Sequence, residues 1–63
     1  MFSVFIEMPL GNRSKPHTFE ELADANKLFA SFVHQMRPWK NFVADVVLAE
    51  DGKILQQEKI FNA

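Results

Sequence analysis

The chain begins with a regular alternation of apolar and polar residues. The apolar positions of this first segment are Phe2, Val4, Ile6 and Met8. A period of two, built from β-branched and aromatic residues, predicts a strand over residues 2–8 with one buried face. Pro9 cannot donate a hydrogen bond to a neighbouring strand, so we expect the strand to end there, before a polar loop over residues 11–17.

The middle of the chain changes to a helical period. Its apolar residues recur every three or four positions and form one stripe: Leu22, Ala25, Phe29, Phe32, Val33 and Met36. Thr18 and Glu21 have the spacing of a capping box, which predicts that the helix begins at Thr18. Pro38 cannot continue a helix, so the pattern as a whole predicts a helix over residues 18–37.

Two further strands are predicted after the helix. Residues 42–49 are mostly apolar, as expected for a central strand. Residues 54–61 are polar in their middle, which favours a position at the edge of the sheet. Between these segments, residues 50–53 have the composition of a tight turn in which Gly52 supplies a positive φ.

The register of this hairpin has two alternatives. A two-residue turn pairs Ala49 with Ile54, whereas a turn that includes a glycine bulge pairs Ala49 with Lys53. We favour the second, because it gives the sheet one coherent apolar face toward the helix. That face contains Phe42, Ala44, Val46, Leu48, Ile54 and Ile60.

These elements predict an α+β fold in one domain that covers residues 1–63. The architecture is a two-layer α/β sandwich of order β-α-β-β, with one helix packed on one face of a three-stranded sheet. We expect the first two strands to be parallel neighbours joined by a right-handed crossover, which gives the strand order 1-2-3. A wholly antiparallel sheet of order 1-3-2 is the alternative.

A single helix leaves the other face of the sheet uncovered. Each large apolar side chain left in water forgoes about 1.5–3 kcal/mol of burial energy, and contiguous apolar patches usually mark an interface. We therefore predict a partner interface at Phe5, Val43, Asp45, Val47, Leu55 and Phe61. Asp45 is expected to face outward and to pair with Lys59 across the hairpin. The alternative is a different register, or a cover formed by the chain after Ala49.

Composition and charge narrow the possible partners. The chain has no cysteine and only two histidines far apart, so we expect neither a disulfide, a metal site nor a cofactor. A net charge of −1 argues against a general binder of polyanions. A domain of 63 residues has a marginal core, which favours self-association.

Two short basic clusters support a competing hypothesis of anion or nucleic-acid binding. They contain Arg13, Lys15 and His17 before the predicted helix, and Arg37, Trp39 and Lys40 after it. A solvated loop and a packing role for Trp39 are the simpler interpretations. The two clusters are expected at opposite ends of the helix, which weakens the case for one shared site.

No arrangement of side chains in the sequence predicts catalysis. Ser31 and His34 lie three positions apart on the helix, but no third group is placed to orient the histidine. We expect a non-enzymatic protein-association module, either a homodimer or a subunit of a larger complex, that uses the helix-free face. The apolar N-terminal segment lacks a basic leader and is interrupted by Glu7, so we expect no membrane partner and a cytoplasmic location.

Overall fold

The computed structural model of the chain describes residues 1–62. Four strands form one antiparallel sheet in the order β2-β1-β3-β4, and one helix packs across one of its faces. The elements are β1 (Phe2–Glu7), a short 3-10 turn (Pro9–Gly11), β2 (His17–Phe19), α1 (Leu22–Met36), β3 (Phe42–Glu50) and β4 (Lys53–Asn62). The helix is too short and too polar to cross a membrane, and the described residues contain no other α-helix.

The sheet has four strands rather than the predicted three, and the order of elements is β-β-α-β-β. The additional strand is β2, which consists of three residues and pairs with the start of β1. Phe19 lies opposite Phe2, and His17 lies opposite Val4. Three residues are too few to show a period of two, so the hydrophobic pattern assigned them to a loop and a helix start.

Strand β2 also explains why the predicted parallel crossover is wrong. It returns the chain to the end of the sheet where β1 began, so α1 runs back toward the end where β1 finished. Strand β3 then descends antiparallel to β1, with Phe5 opposite Val47. The predicted central position of the Phe42–Glu50 strand and the edge position of the last strand are confirmed.

Helix α1 begins at Leu22, four residues later than predicted, because Thr18 belongs to β2. The predicted capping box is therefore not formed: Glu21 occupies the N-cap position and makes no side-chain hydrogen bond there. At the other end, the side-chain amide of Asn62 donates to the carbonyl oxygens of Met36 at 3.2 Å and Arg37 at 2.8 Å. Strand β4 thereby satisfies carbonyl groups that a helix end leaves without internal partners.

The β3–β4 hairpin adopts the two-residue turn, so the favoured register is wrong near the turn. Asp51 and Gly52 both have positive φ, 48° and 87°, as a type I′ turn requires. Ala49 consequently lies opposite Ile54, and Ile54 faces away from the helix. Leu55 has no opposite residue, which shifts the ladder by one position. Beyond this bulge the side chains lie on the predicted faces.

The main core lies between α1 and the sheet. Val4, Val46 and Leu48 are almost completely buried at its centre, and full burial stabilises each such side chain by about 1.5–3 kcal/mol. The other buried members of this core are Ala25, Phe29, Met36 and Ile60. The helix lies mainly over β1 and β3, so its cover over β4 is thin.

Candidate association surface

The face of the sheet opposite the helix divides into two halves. On the β1 side, Phe5, Val47 and Ala49 form a second cluster of buried residues, which we call the closed half. On the β4 side, Ile54, Leu55 and Phe61 are exposed, and we call them the open half. Ile54 lies opposite Ala49 and Phe61 lies opposite Val43, so both share the sheet face of the closed half, and Leu55 is the bulge residue beside Ile54. Both halves are apolar, and they differ in what covers them.

The closed half is covered by the segment that connects β1 to β2. Its Ser14 is held against β1: the Ser14 amide donates to the carbonyl oxygen of Ile6 at 2.9 Å, and the Ile6 amide donates to the Ser14 hydroxyl at 2.9 Å. This anchoring places the Arg13 guanidinium over the ring of Phe5, 4.9 Å from its centroid. The sequence alternative expected a cover from residues after Ala49, whereas the cover comes from residues before β2.

The open half runs along an edge strand. Its side chains are 51% (Ile54), 45% (Leu55) and 67% (Phe61) exposed. Within residues 1–62, the outer side of β4 has no neighbouring strand, over a length of ten residues. Unpaired backbone groups and exposed apolar side chains therefore lie together on one side of the molecule, which is the combination that accepts another strand.

Asp45 lies beside the open half. It lies opposite Lys59 in the β3–β4 ladder, but the predicted ion pair between the two side chains is not formed. Its Oδ1 atom is buried and has no hydrogen-bond partner among the described residues. An unsatisfied buried polar atom costs about 1–3 kcal/mol, so the Asp45–Lys59 position is a locally unfavourable point beside the open half.

The residues predicted for the interface therefore have different environments. Leu55 and Phe61 are exposed, Val43 and Asp45 are partly buried, and Phe5 and Val47 lie within the closed half. Ile54 is the exposed residue that sequence reasoning missed, because the favoured register turned it toward the helix. The available signal was the dipeptide Asp51-Gly52, since Asp-Gly is a strong indication of a two-residue hairpin turn.

The structure places Arg13 of the first basic cluster at the same end of the sheet as the end of α1, which corrects the expectation of opposite ends for this residue, whereas His17 lies opposite Val4 in the middle of β1. Arg13 lies beside Glu7 at the end of β1, and Glu7 is opposite Asp45 near the start of β3. The end of α1 lies at this same end, held by Asn62. The loop and the start of α1 lie at different ends of the sheet because β2 runs between them.

The cations and aromatic rings of these clusters contact other parts of the chain. Arg13 Nε lies 3.3 Å from Glu7 Oε2, and Arg37 Nη2 lies 2.9 Å from Glu58 Oε2. The His17 ring packs against Phe32 with centroids 5.8 Å apart, and the Trp39 ring meets Phe42 edge-on at 5.0 Å. Lys15 and Lys40 are exposed. Trp39 therefore has the predicted packing contact while half of its surface stays exposed.

Two concave regions border the strands. A groove of about 510 Å³ lies between α1 and β4, where Ala30, Val33, His34, Arg37 and Glu58 are among its lining residues. A second region of about 400 Å³ lies between the anchored loop and the hairpin, lined in part by Phe5, Arg13, Pro16 and Ile54. The first region exists because α1 does not extend fully over β4, so it runs alongside the same free edge.

The remaining sequence candidates are dispersed. Ser31 and His34 are exposed on α1, and the Gln35 side-chain amide donates to the Ser31 hydroxyl at 3.5 Å. Within residues 1–62, no three His, Cys, Asp or Glu side chains form a group that could hold a metal ion. In comparisons with known proteins, no family model, no curated protein and no solved structure matches this chain.

Proposed function

We propose that this chain is a non-catalytic protein-association module that works through the open half. The observation that carries the proposal is the exposure of Ile54, Leu55 and Phe61 on an edge strand whose outer backbone groups have no neighbouring strand within residues 1–62. A partner that covers these side chains removes apolar surface from water, and a partner strand also satisfies the free backbone groups.

The size of the domain makes such an association valuable for its stability. A chain of this length buries only about 60% of the surface that its unfolded state exposes. Among the described residues, the main core between α1 and the sheet contains seven buried side chains, and the other apolar side chains that pack against it are only partly buried. Covering the open half therefore adds a substantial fraction to the apolar area that the chain can bury alone.

The first test measures mass by light scattering on a sizing column over a range of protein concentrations, at low and at high salt. We expect the mass to rise with concentration and to depend weakly on salt, because apolar burial is not screened, whereas phosphate contacts weaken steeply with salt. A mass that stays monomeric at every concentration contradicts self-association through this surface.

A pair of matched variants locates the surface. Phe61→Asp places a charge in the open half and should weaken association at least about tenfold, since an unpaired buried charge is costly. Leu10→Asp makes the same charge change at a fully exposed position in the loop after β1, where its positive φ also suits Asp. We expect Leu10→Asp to associate as the unmodified chain does. Equal behaviour of the two variants contradicts the assignment of the open half.

The competing proposal, an anion or nucleic-acid site, has weaker support. The position of Arg13 at the same end of the sheet as Arg37 favours it. However, Arg13 and Arg37 each lie next to a carboxylate, Glu7 and Glu58, which reduces the positive field available to a phosphate. Binding of a single-stranded oligonucleotide that weakens steeply between low and high salt is the result that would favour this proposal.

A further inference from the structure

We infer that the partner is a second copy of this chain, and that the β4 strands of the two copies pair antiparallel about a two-fold axis at Gln57. This inference rests on the proposed function and adds the partner and the register. Strand β4 has ten residues and lies at the edge of the sheet, whereas β2, at the opposite edge, has three. Pairing β4 with itself satisfies both long free edges at once, and the two-fold arrangement closes the assembly.

The symmetry restricts how the strands can meet. In an antiparallel pair, directly opposite residues point to the same face of the sheet. A two-fold axis perpendicular to the sheet therefore passes beside one residue, which lies opposite its own copy. The two four-stranded sheets become one continuous sheet, with both α1 helices on the same face and both open halves on the other.

The charges along β4 disfavour registers centred on a charged residue. An axis at Glu58 or at Lys59 would place identical charges directly opposite each other, which is destabilising. An axis at Gln57 avoids this and sets Gln56 opposite Glu58 of the second copy. The Gln56 amide can then donate to a carboxylate, and symmetry makes this contact twice.

The same register brings part of the open half into the contact. It brings Leu55, the bulge residue, level with Lys59 of the second copy, where the aliphatic part of the lysine can contact the leucine. It also brings Phe61 of each copy toward the Ile54–Leu55 segment of the other. Leu55 and Phe61 thereby lie at or beside the contact, whereas Ile54, which would lie opposite the helix-facing Ile60, stays outside the regular pairing.

Two features of β4 limit the strength of the dimer. The bulge at Leu55 and the charge of Lys59 are both devices that protect edge strands, and together they confine regular pairing to about residues 55–59. An edge-to-edge contact of this length lies at the small end of specific interfaces, below about 1,200 Å² in total. We therefore expect a dimer whose population changes over the micromolar to millimolar concentration range.

The test is disulfide cross-linking of a single introduced cysteine. The chain contains no cysteine, so in the variant Gln57→Cys any disulfide must join two copies. Residues directly opposite in an antiparallel pair have Cα atoms about 4.5–5.5 Å apart, which falls within the range that a disulfide bridges. We expect covalent dimer in Gln57→Cys under mild oxidation, with a rate that rises with protein concentration.

The matched control is Lys59→Cys, at an exposed position on the same strand and the same face. In the proposed register its two copies are four residues apart along the strands, about 13 Å, which a disulfide cannot span. We expect Gln57→Cys to cross-link at least about tenfold faster than Lys59→Cys. Far-UV circular dichroism of both reduced variants establishes that they are folded.

The outcomes separate this inference from the proposed function. Association that depends on Phe61 together with rapid cross-linking at position 57 supports both. Association that depends on Phe61 without preferential cross-linking at position 57, or with faster cross-linking at position 59, overturns the inference and leaves the proposed function standing. If the chain stays monomeric at millimolar concentration, the second copy is not the partner. In that case Gln57→Cys and Lys59→Cys should cross-link at the same slow rate.

Discussion

The two halves of the helix-free face have similar residues and opposite environments. In the closed half, Val47 is completely buried although no helix lies over it. In the open half, Phe61 lies on the same face and is two-thirds exposed. Both side chains are apolar, so hydrophobicity does not explain the difference, and the edge position of β4 accounts for only part of it, because a strand neighbour does not cover a sheet face.

The difference comes from how far the loop between β1 and β2 reaches. Ser14 fastens this loop to Ile6 on the outer side of β1, which allows Arg13 to lie over Phe5. Strand β4 lies two strand positions farther across the sheet, about 10 Å from β1. One short anchored loop covers the near half and leaves the far half for another molecule. Knowing that a residue lies on the uncovered face of a sheet is therefore not enough to predict an interface. The distance of its strand from each loop that could cover it must also be known.

The largest difference in stability between the two halves is expected when the same charged residue is introduced into each. Val47→Asp places a charge in the closed half, where an unpaired buried ion costs several kcal/mol. A domain of 63 residues has roughly 3–9 kcal/mol of stability. We expect Val47→Asp to be largely unfolded at 25 °C, as measured by far-UV circular dichroism and urea titration.

The control for this variant is Phe61→Asp, which makes an equivalent change in the open half. We expect Phe61→Asp to unfold as a monomer with a free energy within about 1 kcal/mol of the unmodified chain, because exposed positions tolerate substitution. If Val47→Asp folds as well as Phe61→Asp does, the loop does not cover the closed half in solution and the comparison fails.

The regular parts of the fold could be predicted from the sequence, because their periods are long enough to be distinctive. The alternation in β1 and the stripe of α1 identified most of the residues that these two elements contribute to the main core, except that Met8 and Leu22 are exposed and Leu28 packs against the core instead. The direction of β3 could not be predicted, since it depends on β2, whose three residues carry no periodic signal. One unrecognised short strand therefore changed the helix start, the crossover and the relative positions of the basic clusters.

The candidate surface was predictable in part for a similar reason. Alternation assigned Leu55 and Phe61 to the helix-free face. The structure places Phe61 there, opposite Val43, whereas Leu55 is the exposed residue of the bulge. Alternation gave no information about Phe5 and Val47, because their burial depends on a loop conformation that hydrogen bonds of Ser14 determine. Ile54 was assigned to the wrong face, because its register is determined by the turn type and the bulge at Leu55 rather than by the apolar pattern.

A smaller loss of stability is expected when the contact between the β1–β2 loop and the closed half is weakened. Arg13→Ala removes the cation over Phe5 and the contact with Glu7. Exposed cation–π and ion-pair contacts are each worth about 0.5–1 kcal/mol or less, so we expect a loss of about 0.5–1 kcal/mol in urea unfolding. The variant Lys15→Ala, in the same exposed loop, is the control and should change stability by less than about 0.5 kcal/mol. Equal losses for the two variants would mean that Arg13 contributes nothing specific to the closed half.

The smallest effect concerns Thr18, at the outer edge of the closed half. In β2 its side chain is exposed opposite Ser3, so strand preference decides its contribution. We expect Thr18→Val and Thr18→Ser to differ from the unmodified chain by less than about 0.5 kcal/mol in urea unfolding, with Val the more stable of the two. A helix cap at this position would reverse that order, because Ser replaces a Thr cap well, whereas Val loses the capping hydrogen bond at a cost of about 0.5–2 kcal/mol. The rank of the two variants therefore decides whether residue 18 belongs to a strand that edges the closed half or to the start of the helix.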